Sequence, residues 1–162
     1  MKIQLALASI ITLAAAMPAA AQAQRMPYGA PITLEQAKKV LAAAEAEARK
    51  VVAPLGVTIA IHDSGCNLVL LQRMDSTNLG TVGIAQDKSY TACAFRTDTK
   101  PAMERMTAGG AGMIFLQLRG FTAIEGGQPI IVDGKQIGSI GVSGGSSAQD
   151  DQIGKAGLAA LK

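Results

Sequence analysis

A few side chains of this sequence have the means to do chemistry. Asp63, Arg73, Asp75 and Lys88 are charged, and His62 is the only histidine in the chain. A guanidinium and an ammonium beside one cleft would grip a ligand's carboxylates, Arg73 by a bidentate fork and Lys88 as a point charge. The competing role for Arg73 and Asp75 is an ion pair that steadies the loop after a strand. Lys88, were it buried next to an aspartate and able to lose its proton, would permit proton abstraction or Schiff-base chemistry, with Asp63 and Asp75 as candidate carboxylates. His62 is the one imidazole a metal could take, yet a lone histidine on a strand is more often packed and hydrogen-bonded. A weaker oxygen ligand or one of Met74, Met103, Met106 and Met113 is the alternative, and methionines at helical spacing are more often core filler. One histidine and two separated cysteines cannot close a zinc site without carboxylates. Ser143, Ser146 and Ser147 lie in no nucleophile-elbow pattern, so no hydrolase triad is written here.

The stretch Gly138 to Asp151 is where the chain converges. A glycine-bearing apolar strand runs into a Gly/Ser loop that opens a helix, with Ser147 or Ser146 as N-cap. Glycines allow close backbone approach, and free amides at a helix start attract an anion. Gly141, Val142, Ser143 and Gly144 are therefore candidates for holding a carboxylate- or phosphate-bearing small molecule. The plain alternative is a turn with a cap. No Gly-x-Gly-x-x-Gly follows a strand and no Gly-Lys-Ser/Thr closes the loop, so this is not a nucleotide fingerprint.

Composition narrows the partners. A chain of 162 residues, 49% hydrophobic and 17% charged, supports one globular domain. Aromatics are 3% and Trp is absent, which argues against stacking platforms for single-stranded nucleic acid. The formal charge of +3 is spread out, so neither a nucleic-acid nor an anionic-membrane surface is expected. Met1-Lys2, the apolar run Ile3–Ala16 and Ala21-Gln22-Ala23 read as a secretory signal over residues 1–23. That leaves a single domain over 24–162, periplasmic or secreted, with no stable membrane insertion after cleavage. Cys66 and Cys93 are the only cysteines. An oxidising compartment invites a bridge, but one sits in a hairpin turn and the other well inside a helix. Sequence does not bring them within bonding reach.

These groups need a scaffold. Thr33-Leu34-Glu35-Gln36 fits a capping box for a helix to about Val52, with Leu34, Ala37, Leu41, Ala44 and Ala48 as its apolar stripe. Val57–Asp63 and Leu68–Met74 read as strands joined by Ser64-Gly65-Cys66-Asn67. With Asp63 opposite Leu68, the residues Val57, Ile59, Ile61, Leu68, Leu70 and Met74 share an apolar face. Thr58, Ala60, His62, Val69, Leu71 and Arg73 share a mixed one, expected to border a cleft or subunit interface. Thr81 starts a second helix to about Phe95, holding Val82, Ile84, Ala85, Ala92 and Phe95 inward and presenting Asp87 and Lys88. A short helix to Met106, a Gly/Ala loop at 108–112 suited to a lid, and an unassigned apolar element at 113–118 come next. A strand at Ile130–Val132 turns through Asp133-Gly134-Lys135 into the glycine-bearing strand, and a last helix runs from about Ala148 to Leu161. Tight turns make the sheet antiparallel and helices must cover it: an α+β domain.

The stretches Ile59–Gly65, Arg73-Met74-Asp75, Lys88–Ala92, Gly126-Gly127-x-Pro129 and Gly138–Gly144 with Gln149-Asp150 resemble the GlcG/HbpS family, which includes the C-terminal domain of PduO-type proteins. The likeness spans nearly the whole mature chain in the same order. It implies a profilin-like α+β domain that assembles into homo-oligomers and, in some exported members, binds or degrades haem. Gly127 joins the candidate ligand-binding residues on that basis, and His62 becomes the candidate haem iron ligand. The resemblance thus favours an exported haem-binding or haem-processing protein, with haem propionates between the Gly/Ser loop and the Arg73/Lys88 side. An enzyme acting on a small oxygenated acid by acid-base chemistry in the same pocket is the alternative. A ligandless structural oligomer is a third.

Overall fold

The computed structural model describes residues 25–162, so the expected signal segment 1–23 lies outside the described residues. Four helices, α1 (Leu34–Val51), α2 (Thr81–Phe95), α3 (Lys100–Thr107) and α4 (Ser147–Ala159), accompany a 3-10 helix at Gly110–Gln117. The strands are β1 (Thr58–Asp63), β2 (Leu68–Arg73), β3 (Gly127–Val132) and β4 (Lys135–Ser143). They form one antiparallel sheet in the order β2-β1-β4-β3. The fold is α+β, as the alternation of hairpins and helices implies.

Local chemistry sets the ends of the elements. Thr33 Oγ1 accepts from the Gln36 amide while Gln36 Oε1 accepts from the Thr33 amide, closing the capping box of α1. Ser146 and Gln149 repeat the device at α4. The β3–β4 turn places Asp133 at φ 50° and Gly134 at φ 70°, the paired left-handed conformation that suits a two-residue hairpin.

The two sheet faces are covered differently. On one, Val57, Ile59 and Ile61 of the β1 side, Ile140 and Val142 of β4 and Ile130 of β3 meet Val40, Ala44 and Ala48 of α1 and Ile153 of α4. Burying such a side chain fully is worth about 1.5–3 kcal/mol, so this layer supplies the main apolar driving force. Helix α2 covers the other face. Gly141 and Gly127 make room for it: a Cβ at Gly141 would strike the Ala85 carbonyl and Ser89 amide, and one at Gly127 the Lys88 carbonyl.

Several expectations need correction. The α2 residues turned inward are Thr81, Ala85, Lys88, Ser89, Thr91, Ala92 and Cys93, whereas Ile84 is exposed and Lys88 is buried. An apolar stripe was the wrong guide, because the strand beneath is made of glycine and serine. The β1–β2 register follows Thr58↔Arg73 through Ile61↔Leu70, then slips so that His62 faces Leu68. Leu68 thereby leaves the apolar face and is exposed. Leu34 is likewise exposed, with Val40 taking its place in the α1 stripe. The unassigned apolar element belongs to the 3-10 helix, and β3 begins at Gly127 rather than Ile130. Among the described residues no helix is long and apolar enough to cross a membrane.

Candidate functional site

The Gly/Ser loop is filled from within. Lys88 Nζ, 1% exposed, donates to the Val142 carbonyl at 2.9 Å and to Asp150 Oδ2 at 2.7 Å. Asp150 Oδ1 in turn accepts from the Gly145 amide at 2.9 Å. Burial pushes the Asp150 carboxyl above its ordinary pKa, and the Lys88 ammonium and loop amides pull it back. The amides of Ser146 and Gln149 are already satisfied by the capping box. Lys88 thus reaches the loop as expected, but as a buried staple spent on the protein's own groups. Gly141 and Gly127 serve helix approach, and Gly127 exchanges backbone and side-chain hydrogen bonds with Thr99. Val142 belongs to the core and Ser143 is buried opposite Thr58.

Arg73 lies elsewhere. It stands two strands from Ser143, across Thr58. With Glu45, Arg49, Gln72, Asp75 and Ser76 it lines an open cleft of ≈420 Å³ below the end of α1. Among the described residues no ion pair joins Arg73 to Asp75. Asp63 is committed locally: its Oδ1 accepts from the Gly65 and Asn67 amides and ties the hairpin turn. The expected gathering of Asp63, Arg73, Asp75 and Lys88 around one cleft is therefore divided into three places.

His62 occupies the most suggestive position. It sits opposite Ser139 of β4 and is 6% exposed. Its Nδ1 lies 2.9 Å from Ser89 Oγ, and Ser89 Oγ lies 3.0 Å from Ser139 Oγ. Among the described residues its Nε2 has no hydrogen-bond partner, nor is it one of the buried unpartnered atoms, so it reaches the surface. Burial lowers the imidazole pKa and Asp63 opposes this, so the ring is kept neutral. The Tyr90 ring stands edge-on at 6.4 Å, and Leu68, Leu71 and Tyr90 are all exposed nearby on this face. Arg73, paired with Thr58, stands at the far end of β2, in the cleft beside α1. The mixed face is thus closed by α2 over β1 and open only over β2. Sequence reasoning gave Ser89, Ser139 and Tyr90 no role. The available signal was that Ser89 and Ser139 both point to the strand position of the single histidine.

Beside this surface, Cys66 and Cys93 form a disulfide with Cα atoms 5.7 Å apart. The sequence leaves this pairing open, and the fold closes it. Cys93 follows Ser89 by one turn on the α2 row facing β1, which carries it past His62 to the hairpin turn.

Comparisons with known proteins place this geometry among relatives. The family described as "Haem degrading protein HbpS-like" matches residues 32–159. An uncharacterized 15.0 kDa protein in the dhaT-dhaS intergenic region of Citrobacter freundii is 39% identical over 132 residues, 80% of this chain and 91% of that one. Protein GlcG of Escherichia coli is 38% identical over 112 residues, 69% of this chain and 81% of that one. Among solved structures, a PduOC–haem complex superimposes with a TM-score of 0.74 at 27% identity, covering 82% of this chain and 96% of that one.

Proposed function

Because the chain belongs to the HbpS-like family, we propose that it is an exported, oligomeric protein that binds and processes haem. A related structure holds haem, and the surface over β2 has the donors the group requires. The observation that carries the reading is a buried imidazole with one nitrogen at an apolar surface. Imidazole nitrogen is a haem iron ligand. Leu68, Leu71 and Tyr90 offer apolar area to the macrocycle, and Arg73 at the far end of β2 would meet a propionate. Bound haem would supply redox and oxygen chemistry, and the protein supplies position and exclusion of water. Titrating haemin into the purified mature protein should shift the Soret band at micromolar protein. An unshifted band would overturn the proposal.

Export is supported by the residue pattern at 1–23 and by the Cys66–Cys93 bridge, since disulfides persist in oxidising compartments. Fractionation of the native host, probing for the cleaved chain outside the cytoplasm, tests this. Self-association is supported by Met113, Ile114, Leu116 and Leu118, exposed on and just after the 3-10 helix, an apolar patch suited to a second copy. Light scattering on the eluting protein should give a multimer.

A second reading draws on the Arg49–Arg73 cleft, which suits a small oxygenated acid. It predicts a rise in melting temperature with millimolar lactate that Arg73→Ala abolishes.

A further inference from the structure

We infer that His62 Nε2 is the axial ligand of the haem iron, and that Ser89 and Ser139 are positioning residues that fix the imidazole in its Nδ1–H tautomer. The inference rests on the haem reading above and adds to it a specific atom and a hydrogen-bond chain.

The tautomer follows from counting protons. Ser139 Oγ donates to the Ser89 carbonyl at 2.8 Å, which uses its only hydrogen. In its 3.0 Å contact with Ser89 Oγ it can therefore only accept. Ser89 Oγ supplies that hydrogen, which spends its only proton. The 2.9 Å contact between Ser89 Oγ and His62 Nδ1 then takes its hydrogen from the imidazole. A neutral imidazole has one N–H, so Nε2 keeps its lone pair. A Ser89 hydrogen sent to Nδ1 would instead leave either the 3.0 Å Oγ–Oγ contact or the 2.8 Å contact of Ser139 Oγ with the Ser89 carbonyl without a hydrogen between its oxygens.

The direction of this chain suits metal ligation. A ligating histidine ordinarily donates its other N–H to a fixed acceptor, which sets ring orientation and raises the basicity of the ligating nitrogen. Here the acceptor is a fully buried serine on α2, itself locked to the backbone of β4. The ring cannot turn without breaking its bond to Ser89. Tyr90 stands edge-on beside the imidazole, and the cross-strand neighbour Leu68 on β2 is exposed.

The chain contains a single histidine, so a tag-free, 15N-labelled protein gives one imidazole signal set. Long-range 1H–15N spectra of the haem-free protein at neutral pH should show Nδ1 protonated and Nε2 bare. A protonated Nε2 would overturn the tautomer assignment. In the haem-loaded protein, the ferric absorption and electron paramagnetic resonance spectra should carry a nitrogen axial signature. His62→Ala should lose it. Ser89→Ala should keep haem uptake but weaken affinity by about 10–100-fold, the usual cost of an outer-shell partner. His62→Gln, with circular dichroism as a folding control, guards against loss of structure. Haem uptake with a spectrum indifferent to both His62 substitutions would overturn the ligand assignment alone. Failure of the wild-type protein to take up haem would overturn the haem reading, and the ligand assignment with it.

Discussion

The two faces of one sheet are built on opposite principles. Under α1 and α4 lie isoleucine, valine and alanine, whose contribution is area removed from water and does not depend on any particular atom. Under α2 lie Thr58, His62, Ser89, Ser139 and the Lys88–Asp150 pair, all buried and each tied to a named partner. The first face tolerates repacking within its volume; the second tolerates little, because an orphaned buried polar group costs more than its bond contributes. Specific chemistry is accordingly found on the second face.

The largest effect should come from breaking the buried pair. Asp150→Ala strands the Lys88 ammonium at 1% exposure and should lower unfolding free energy by about 3–5 kcal/mol in urea titrations. The double substitution Lys88→Met/Asp150→Leu sharpens the point: an apolar pair should recover most of that loss. Next comes the bridge at the end of the same face. Closing a span of 27 residues, it should contribute about 3–4 kcal/mol, read as the stability lost in Cys66→Ala/Cys93→Ala. On the apolar face, Ile59→Val removes one methylene from a fully buried site and should cost only about 1 kcal/mol. The smallest effect is in pH dependence. His62 has a folded pKa below its ordinary 6.5, so the unfolded state binds the extra proton. Its contribution is present above about pH 6.5 and lost as pH falls toward the folded value. His62→Gln should flatten stability between pH 5 and pH 7 in melts, whereas Ile59→Val should leave the slope unchanged.

What the sequence revealed tracks this division. The α1 capping box, a serine N-cap for α4, the two hairpins and the α+β class were legible, because caps, turns and alternation are local signals. The apolar face was read correctly for Val57, Ile59 and Ile61 but not for Leu68, because a bulge next to His62 is invisible to strict alternation. The α2 face was read correctly for Ala85 and Ala92 but not for Ile84 and Lys88. Its inward residues are chosen to fit glycines and serines of β4, so hydrophobic spacing pointed to Ile84 and left Lys88 outside. The Cys66–Cys93 bond was hidden for a related reason: it depends on how far α2 overhangs the first hairpin, a tertiary quantity. Arg73 and Lys88 stand apart for a similar reason, since β1 lies between β2, which carries Arg73, and β4, whose Val142 carbonyl Lys88 meets.

The glycine floor beneath α2 has a further consequence. With no side chains on Gly141 or Gly127 to act as spacers, the gap between helix and sheet is a backbone dimension. Descendants of this sequence cannot drift there by trading a larger residue for a smaller neighbour. Diversity must accumulate instead on β2, the 3-10 helix and the cleft beside α1, which makes those the places to graft new specificities while the glycine strand is left untouched.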